Sequence, residues 1–269
     1  MKSIVITGAS SGIGKATAKY FAEQGWKVAV TMRTPEKETE LTEIANVSLY
    51  HLDVSDPTSI ANAAQQVISD FGTVDALLNN AGYGSYGILE ATPEDKIRRQ
   101  FDVNVIGLLL VTQAFLPNMR ENGAGVIVNV SSVGGKVTFP LGTLYHGSKW
   151  AVEGLSEALS YELATVGIKV KIVEPGGVKT NFGTTSFDLN IEGSPEAYGP
   201  LVEQFVAAVQ EVAVPSEASD IAEVIYEAIT DGTDQLRYIA GADAEQLIGA
   251  RKQMNDGDFI ALIKQQLGL

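Results

Sequence analysis

Residues 3–14 read Ser3-Ile4-Val5-Ile6-Thr7-Gly8-Ala9-Ser10-Ser11-Gly12-Ile13-Gly14. Four β-branched residues in a row suit a strand, and the glycines that follow end it in a tight turn. Beyond the turn, Ile13, Ala16, Tyr20 and Phe21 recur at helical spacing. A strand, a glycine turn and a helix in that order form an anion cradle. Glycine lets the backbone approach a pyrophosphate closely, and the helix N-terminus offers free N–H groups and a favourable dipole. The spacing is Gly-x-x-x-Gly-x-Gly rather than Gly-x-Gly-x-x-Gly. A glycine turn also serves as a plain strand-to-helix junction without ligand. Its place directly after the first strand favours the dinucleotide reading.

Outward from this unit, short β-branched runs alternate with longer segments of helical period, the pattern of βαβ units and a parallel sheet. Strands are expected near Ser3–Thr7, Lys27–Met32, Ser48–Leu52, Ala76–Asn79, Gly125–Val130, Lys169–Glu174 and Arg237–Ala240. Helices are expected to begin near Ile13, Glu36, Pro57, Pro93, Thr143, Pro195 and Glu217, with one or two more between Asp243 and Leu267. Asp56-Pro57, Thr92-Pro93 and Ser194-Pro195 each set a capping residue before a first-turn proline. The fold class is therefore α/β, a Rossmann-type doubly wound parallel sheet of about seven strands with helices on both faces, residues 1–269 forming one domain. Thr180–Gly199 is the least patterned stretch. It reads as a mobile lid or a plain surface loop.

Composition narrows the partners. The chain has 19 basic and 33 acidic residues and a formal charge of −14. Such a surface repels nucleic acid and anionic membrane, so neither is an expected partner. Cysteine is absent, which removes disulfides, thiolate metal sites and cysteine nucleophiles, and two histidines make a metal site unexpected. Met1–Thr7 does not read as a signal peptide, and the apolar run Val105–Val111 is short for a membrane span. A cytoplasmic location is expected.

The second strand bears on which dinucleotide binds. A carboxylate about 20 residues past the turn suits the ribose hydroxyl of NAD, and an arginine suits the 2′-phosphate of NADP. Here the strand ends at Met32, Arg33 follows, and no carboxylate occurs before Glu36. NADP(H) is favoured, although an exposed turn arginine would look the same. Farther on, Tyr145 and Lys149 stand four apart, one helical turn on one face. A phenol of pKa about 10 shuttles protons poorly near neutrality, and a fixed ammonium beside it favours the phenolate.

Gly8/Gly12/Gly14, Asn79-Asn80-Ala81-Gly82, Asn104, Ser132, Tyr145/Lys149 and Pro175-Gly176 occur in that order. Together they resemble the short-chain dehydrogenase/reductase superfamily in its compact form, over roughly residues 3–182. The resemblance implies an NADP(H)-dependent oxidoreductase interconverting a carbonyl and an alcohol. It implies Tyr145 as general acid or base, Lys149 on the nicotinamide ribose and lowering the Tyr145 pKa, Ser132 on the substrate oxygen and Asn104 in a proton relay. It also implies cofactor contacts from Gly8, Ser10, Ser11, Gly12, Ile13, Gly14, Arg33, Asp53, Val54, Asn80, Ala81, Gly82, Tyr145, Lys149, Pro175, Gly176, Val178 and Thr180. Asp53 would accept from the adenine amine, with a plain capping role as the alternative. Asn104 would otherwise satisfy a helix kink.

Two departures stand out. Ser11 occupies the place where NADP-preferring members often carry a basic residue, and His146-Gly147 replaces a small hydrophobic pair. The expected substrate wall is Ser132, Val133, Phe139, Tyr145 and Phe182, with residues 180–215 as the substrate-binding loop and helix. Apolar walls around a Ser/Tyr pair suit a steroid-like, retinoid-like or other hydrophobic ketone or aldehyde. The alternatives are a β-ketoacyl thioester reductase and, from another class, a non-catalytic NADP(H)-binding sensor. Apolar surplus at Leu108–Val111, Ala151, Val152, Leu155 and Leu159 fits the paired helices of the family, hence a homodimer or homotetramer.

Overall fold

The computed structural model describes residues 1–180, 186–211 and 216–268. The described strands are β1 (Ser3–Thr7), β2 (Lys27–Met32), β3 (Val47–His51), β4 (Ala76–Asn79), β5 (Gly84–Gly87), β6 (Gly125–Val130), β7 (Ile168–Pro175), β8 (Val178–Lys179), β9 (Phe187–Asn190), β10 (Ser216–Glu217) and β11 (Arg237–Ala240). The helices are α1 (Gly12–Glu23), α2 (Pro57–Phe71), α3 (Glu94–Phe101), α4 (Gly107–Asn122), α5 (Thr143–Ala164), α6 (Gly199–Glu211), α7 (Ala218–Thr230), α8 (Ala242–Gln253) and α9 (Asp256–Gln266).

Seven strands form one parallel sheet in the order β11-β7-β6-β4-β1-β2-β3. Val5 in β1 pairs with Ala29 on one side and Leu77 on the other. The order reverses between β1 and β4, and a crevice at the carboxyl ends of the strands is the expected ligand site there. All five residues of β1 are buried, because helices cover both faces. On one face Phe21 and Trp26 pack with Ile221 and Ile225 of α7. On the other, Val67 of α2, Val111, Phe115 and Met119 of α4 and Leu163 of α5 form a second core.

The sequence boundaries of β1, β2, β4, β6 and β11 agree with the structure, while β3 starts and ends one residue earlier and β7 extends by one residue at each end. No helix begins at Glu36. The β2–β3 crossover carries only 3₁₀ turns at Pro35–Lys37 and Leu41–Glu43. Glu38 turns back to accept from the Glu40 and Leu41 amides, and Lys15 and Lys19 of α1 hold Glu40. These side-chain bonds replace the helical ladder over a short crossover. Among the three expected caps, Asp56 accepts from the Thr58 amide at 2.8 Å. Thr92 instead bonds back to the Ile88 carbonyl, leaving Pro93 at the cap position. Ser194 caps nothing, and a 3₁₀ turn at Glu196–Tyr198 precedes α6.

Between α3 and α4 the helix widens into a π turn at Asp102–Ile106, with Asn104 at its centre. The continuous helix Glu94–Asn122 is long and apolar enough by length and composition to cross a bilayer. Leu108, Val111, Phe115 and Met119 are nevertheless buried against the rest of the protein. Within the unpatterned Thr180–Gly199 stretch, β9 pairs in parallel with β5, while just before it β8 pairs with β10.

Phe115 is fully buried. Phe115→Ala should lower the unfolding free energy by about 3–5 kcal/mol, the transfer and cavity cost of a buried ring. Urea titration followed by far-UV dichroism measures it. A loss below about 1 kcal/mol would contradict this core assignment.

Candidate active site

A cleft of about 800 Å³ opens at the carboxyl ends of the central strands, a size that suits a small organic ligand. Its floor begins at the glycine turn, where Gly8 and Gly12 have φ of +68° and +55°. A side chain is strained in that region, and a β-carbon on Gly8 would lie 2.8 Å from Ala81 Cα. Thr7 Oγ1 accepts from the Asn80 and Ala81 amides, and Asn80 Nδ2 donates to the Thr7 and Gly8 carbonyls. The ends of β1 and β4 are thus tied to each other, and the turn is held as a cradle before any ligand arrives. Gly14 does not reach the cleft. It lets α1 pack on Gly8 and the Asn80 side chain.

Ser10, Ser11, Gly12, Ile13, Arg33, Asp53, Val54, Asn80, Ala81 and Gly82 line the cleft on one side. Ser132, Tyr145, Lys149, Pro175, Gly176, Val178 and Thr180 line it on the other. The two sets come from segments far apart in the chain, and the sheet brings them together. Arg33 is exposed at the β2 end of the cleft. Burial alone would raise the Asp53 carboxyl, but the Ser55 hydroxyl and amide, with Arg33 and His51, hold it below its ordinary value. Asp53 Oδ1 accepts from both Ser55 groups.

Asn104 sits behind the cleft wall and is 3% exposed. Its Oδ1 accepts from the Tyr83 amide at 3.0 Å, and its Nδ2 donates to the Tyr83 carbonyl at 2.9 Å and to Ser148 Oγ at 3.1 Å. The π turn rotates this amide inward, and the bonds satisfy it there. A β-carbon on Gly82 would meet Asn104 Oδ1 at 3.2 Å and Lys149 Nζ at 3.9 Å, so both polar groups converge beneath the NNAG turn. Lys149 Nζ donates to the Val130 carbonyl at 2.9 Å and lies 5.8 Å from the Tyr145 ring. Burial brings its ammonium down to about 8, opposed by the charge of Glu153.

Burial also holds the Tyr145 phenol above its ordinary value, while a hydrogen bond from Ser132 pulls it back. Ser132 Oγ accepts from the Gly134 amide, which orients it at the start of its turn.

Val133 and Phe139 do not line the cleft. Both pack against Phe259, Ile263 and their neighbours from the C-terminal helices. Phe182 lies outside the described residues. The aromatic lining comes instead from Tyr83 and from Phe187 of β9, with Tyr86 of β5 packed against Phe187 and Tyr145. Tyr86 lies with its ring 5.4 Å from Tyr145, 5.0 Å from Phe187 and 5.9 Å from Phe205. Sequence reading misses this wall because Gly84-Ser85-Tyr86-Gly87 has no strand pattern.

Three further residues carry no motif signal. Gln100, fully buried one turn before Asn104, donates to the Tyr83 carbonyl and accepts from the Ser85 amide. Asp243 accepts from the Gly177 amide at 2.7 Å and so holds the loop after β7. His146 bonds the Gly134 carbonyl through Nδ1 at 3.0 Å and accepts from the Phe139 amide through Nε2 at 3.0 Å. Those partners fix the neutral tautomer with the proton on Nδ1, and the loop after Ser132 is stapled to the helix bearing Tyr145.

The cradle, the arginine and the Ser/Tyr/Lys wall fit a dinucleotide. A family model described as short chain dehydrogenase matches residues 2–189. The chain belongs to the short chain dehydrogenase family, whose members are oxidoreductases acting on small molecules. An uncharacterized oxidoreductase of Schizosaccharomyces pombe is 41% identical over 245 residues, 88% of this chain and 100% of that one. A 3-ketodihydrosphingosine reductase of Bacteroides thetaiotaomicron is 40% identical, covering 72% of this chain and 71% of its own. Human 17-beta-hydroxysteroid dehydrogenase type 1 is 38% identical over 72% of this chain and 60% of its own.

Among solved structures, a short-chain dehydrogenase from Streptomyces avermitilis superposes with a TM-score of 0.87 at 35% identity, covering 99% of this chain and 98% of that one. An alcohol dehydrogenase from Thermococcus sibiricus complexed with 5-hydroxy-NADP gives 0.71 at 27% identity, over 89% and 95%. A family member from Burkholderia phymatum in complex with NAD gives 0.78 at 27%, over 97% and 94%.

Burial lowers the His146 pKa, with the Gly134 carbonyl opposing it. The unfolded chain therefore binds this proton more readily, and the folded protein loses stability as pH falls below the ordinary histidine value of about 6.5. His146→Ala should lower stability at pH 7.5 and reduce the further drop between pH 7.5 and 5.5. Urea titrations at the two pH values decide it. Equal drops in both proteins would remove His146 as the titrating group.

Proposed function

We propose that this chain is an NADP(H)-dependent oxidoreductase that interconverts a carbonyl and an alcohol on a hydrophobic substrate. The observation that carries the reading is the convergence of Ser132, Tyr145 and Lys149 on one wall of a cleft whose far end holds Arg33. Met32 and Arg33 line that end, and an arginine's planar fork suits a 2′-phosphate. The solved relatives carrying 5-hydroxy-NADP and NAD support a nicotinamide cofactor in this cleft.

When bound, such a dinucleotide supplies or accepts the hydride. The chain's own residues orient the reactants and manage the proton. The Gly8–Ile13 turn would receive the pyrophosphate. Lys149, charged in its buried seat at neutral pH, would meet the adjoining ribose, and Val178 and Thr180 would flank the carboxamide. In reduction, Tyr145 gives its phenolic proton to the substrate oxygen while Ser132 donates a hydrogen bond to the same atom. In oxidation the phenolate takes the hydroxyl proton. Because burial raises this phenol, the protonated form dominates near neutrality and suits reduction. The oxidation rate is expected to climb with pH.

Tyr83 and Phe187 line the cleft, Tyr86 lies against Tyr145 and Phe187, and Ile88, Leu141 and Phe205 form an apolar cluster with Tyr86 and Phe187. Those walls support a bulky apolar ketone or aldehyde, in keeping with the sphingoid ketone and steroid named for two relatives. Ile106, Leu109, Trp150 and Tyr161 are exposed at the surface of the α4 and α5 segments, which supports a homodimer or homotetramer.

Consumption of NADPH and of NADH against small aldehydes, aromatic ketones, retinal, ketosteroids and long-chain ketones tests the reading. Tyr145→Phe should reduce turnover by about 10²–10⁴. Arg33→Ala should weaken NADPH binding roughly tenfold, a charge-assisted contact of about 1.4 kcal/mol, and leave NADH unchanged. Tighter binding of NADH than NADPH by the wild type would overturn the cofactor assignment. Full turnover in the Phe variant would overturn the mechanism.

A further inference from the structure

Glu153 and Glu174 are 4% and 1% exposed. Glu153 lies on α5 one turn beyond Lys149, and Glu174 precedes Pro175, where the chain turns into the loop lining the cleft. Both carboxylates face the same two cations. Lys136, at the end of the Ser132 turn, lies 3.0 Å from Glu153 Oε2 and 3.7 Å from Glu174 Oε1. Arg237 of β11 lies 2.9 Å and 3.6 Å from those atoms, and its Nη2 meets Glu157 at 2.6 Å.

Glu153 Oε1 and Glu174 Oε1 are buried, and no hydrogen-bond donor among the described residues reaches either. Three carboxylates thus face two cations, with Lys149 turned to the Val130 carbonyl. A single proton makes the cluster neutral and gives two orphaned oxygens a common partner.

We propose that Glu174 holds a proton and donates it to the Glu153 carboxylate, and that this one-proton bridge is a positioning device for the reaction. It fastens α5, with Tyr145 and Lys149, to the end of β7, whose following loop would face the nicotinamide. That last clause rests on the function proposed above.

Burial pushes the Glu174 carboxyl up to about 7, and the Glu153 charge adds to it, while Lys136 and Arg237 oppose. The folded protein then keeps a proton that the unfolded chain releases above the ordinary carboxyl value of 4.5. The Glu174 contribution to stability therefore falls as pH rises between 4.5 and about 7, against the opposite slope from His146, and levels off above that. Above the window two buried carboxylates repel, and the bridge is lost.

Glu174→Gln keeps a donor in place and removes the charge. Two measurements on the full chain test the bridge. Melting temperature from about pH 5 to pH 8.5 needs no ligand and stands apart from the proposed function. The dissociation constant for NADPH over about pH 6 to pH 8.5, read by its fluorescence, reports on the cleft. The melting temperature of the Gln variant relative to the wild type should rise with pH across this window, leaving the variant higher by a few degrees above pH 7. The ratio of wild-type to variant dissociation constants should be near one at pH 6 and rise severalfold by pH 8.5. Glu153→Gln leaves one carboxylate between the cations and should show the same relative rise in melting temperature.

Melting profiles that run parallel to the wild type in both variants would show that no proton is shared and overturn the proposal. A relative rise in melting temperature with a constant ratio of dissociation constants would confine the pair to stability and overturn its positioning role. Failure of the wild type to bind NADPH would overturn the proposed function and, with it, the positioning role.

Discussion

The site depends on one captured peptide. The backbone of Tyr83 is gripped at both its amide and its carbonyl by Asn104, and Gln100 adds a second donor to the same carbonyl. A buried backbone group that is left unpaired costs free energy comparable to a lost hydrogen bond. The chain after β4 is therefore obliged to pass beside the π turn. Gly82 is thereby placed between Asn104 and Lys149, and β5 begins where its Tyr86 ring can lie beside Tyr145. The sheet supplies the end from which these elements project. The amides decide how they meet.

The sheet was legible because its strands are short and apolar, and glycine or proline marks an end of β1, β6, β7 and β11. The cleft floor was legible for the same reason, since glycines and an NNAG turn act through backbone geometry that any local reading sees. The aromatic wall was not. Its strands, Gly84–Gly87 and Phe187–Asn190, pair across a separation of about a hundred residues, and neither has enough alternation to declare itself. Val133 and Phe139 illustrate the converse error. They follow Ser132 closely, but the C-terminal helices cover them. Proximity in sequence to a site residue says little about which way a side chain faces. The missing helix near Glu36 is a third kind of failure, in which side-chain bonds to the turn displaced a periodicity too short to nucleate.

Net charge and local charge point in opposite directions in this molecule. The surface carries an acidic excess, yet the cleft walls include Arg33, Lys96, Arg99 and Lys149 against Asp53 and Asp188. Charge at the surface is screened within about 10 Å at ordinary ionic strength, so the near groups govern a bound anion. Lys171 shows how such a cation is kept elsewhere in the fold. It is 1% exposed and donates to the Thr233 and Gln235 carbonyls and to the Tyr238 hydroxyl.

The pairing of β5 with β9 has a bearing on how firmly the rim of the cleft is held. Ser186, Phe187 and Asp188 line the cleft, and the ladder fastens that segment to the chain following β4 through four residues a side. Lys96 pairs with Asp188, and Asn190 Nδ2 reaches Ser85 and Tyr86. The ladder is small, and the β9 residues in it are only half-buried. Such elements open on their own well below the energy of global unfolding. The rim of the cleft is thus held by a few backbone hydrogen bonds, and sequence changes there alter how readily it opens while leaving the central sheet alone.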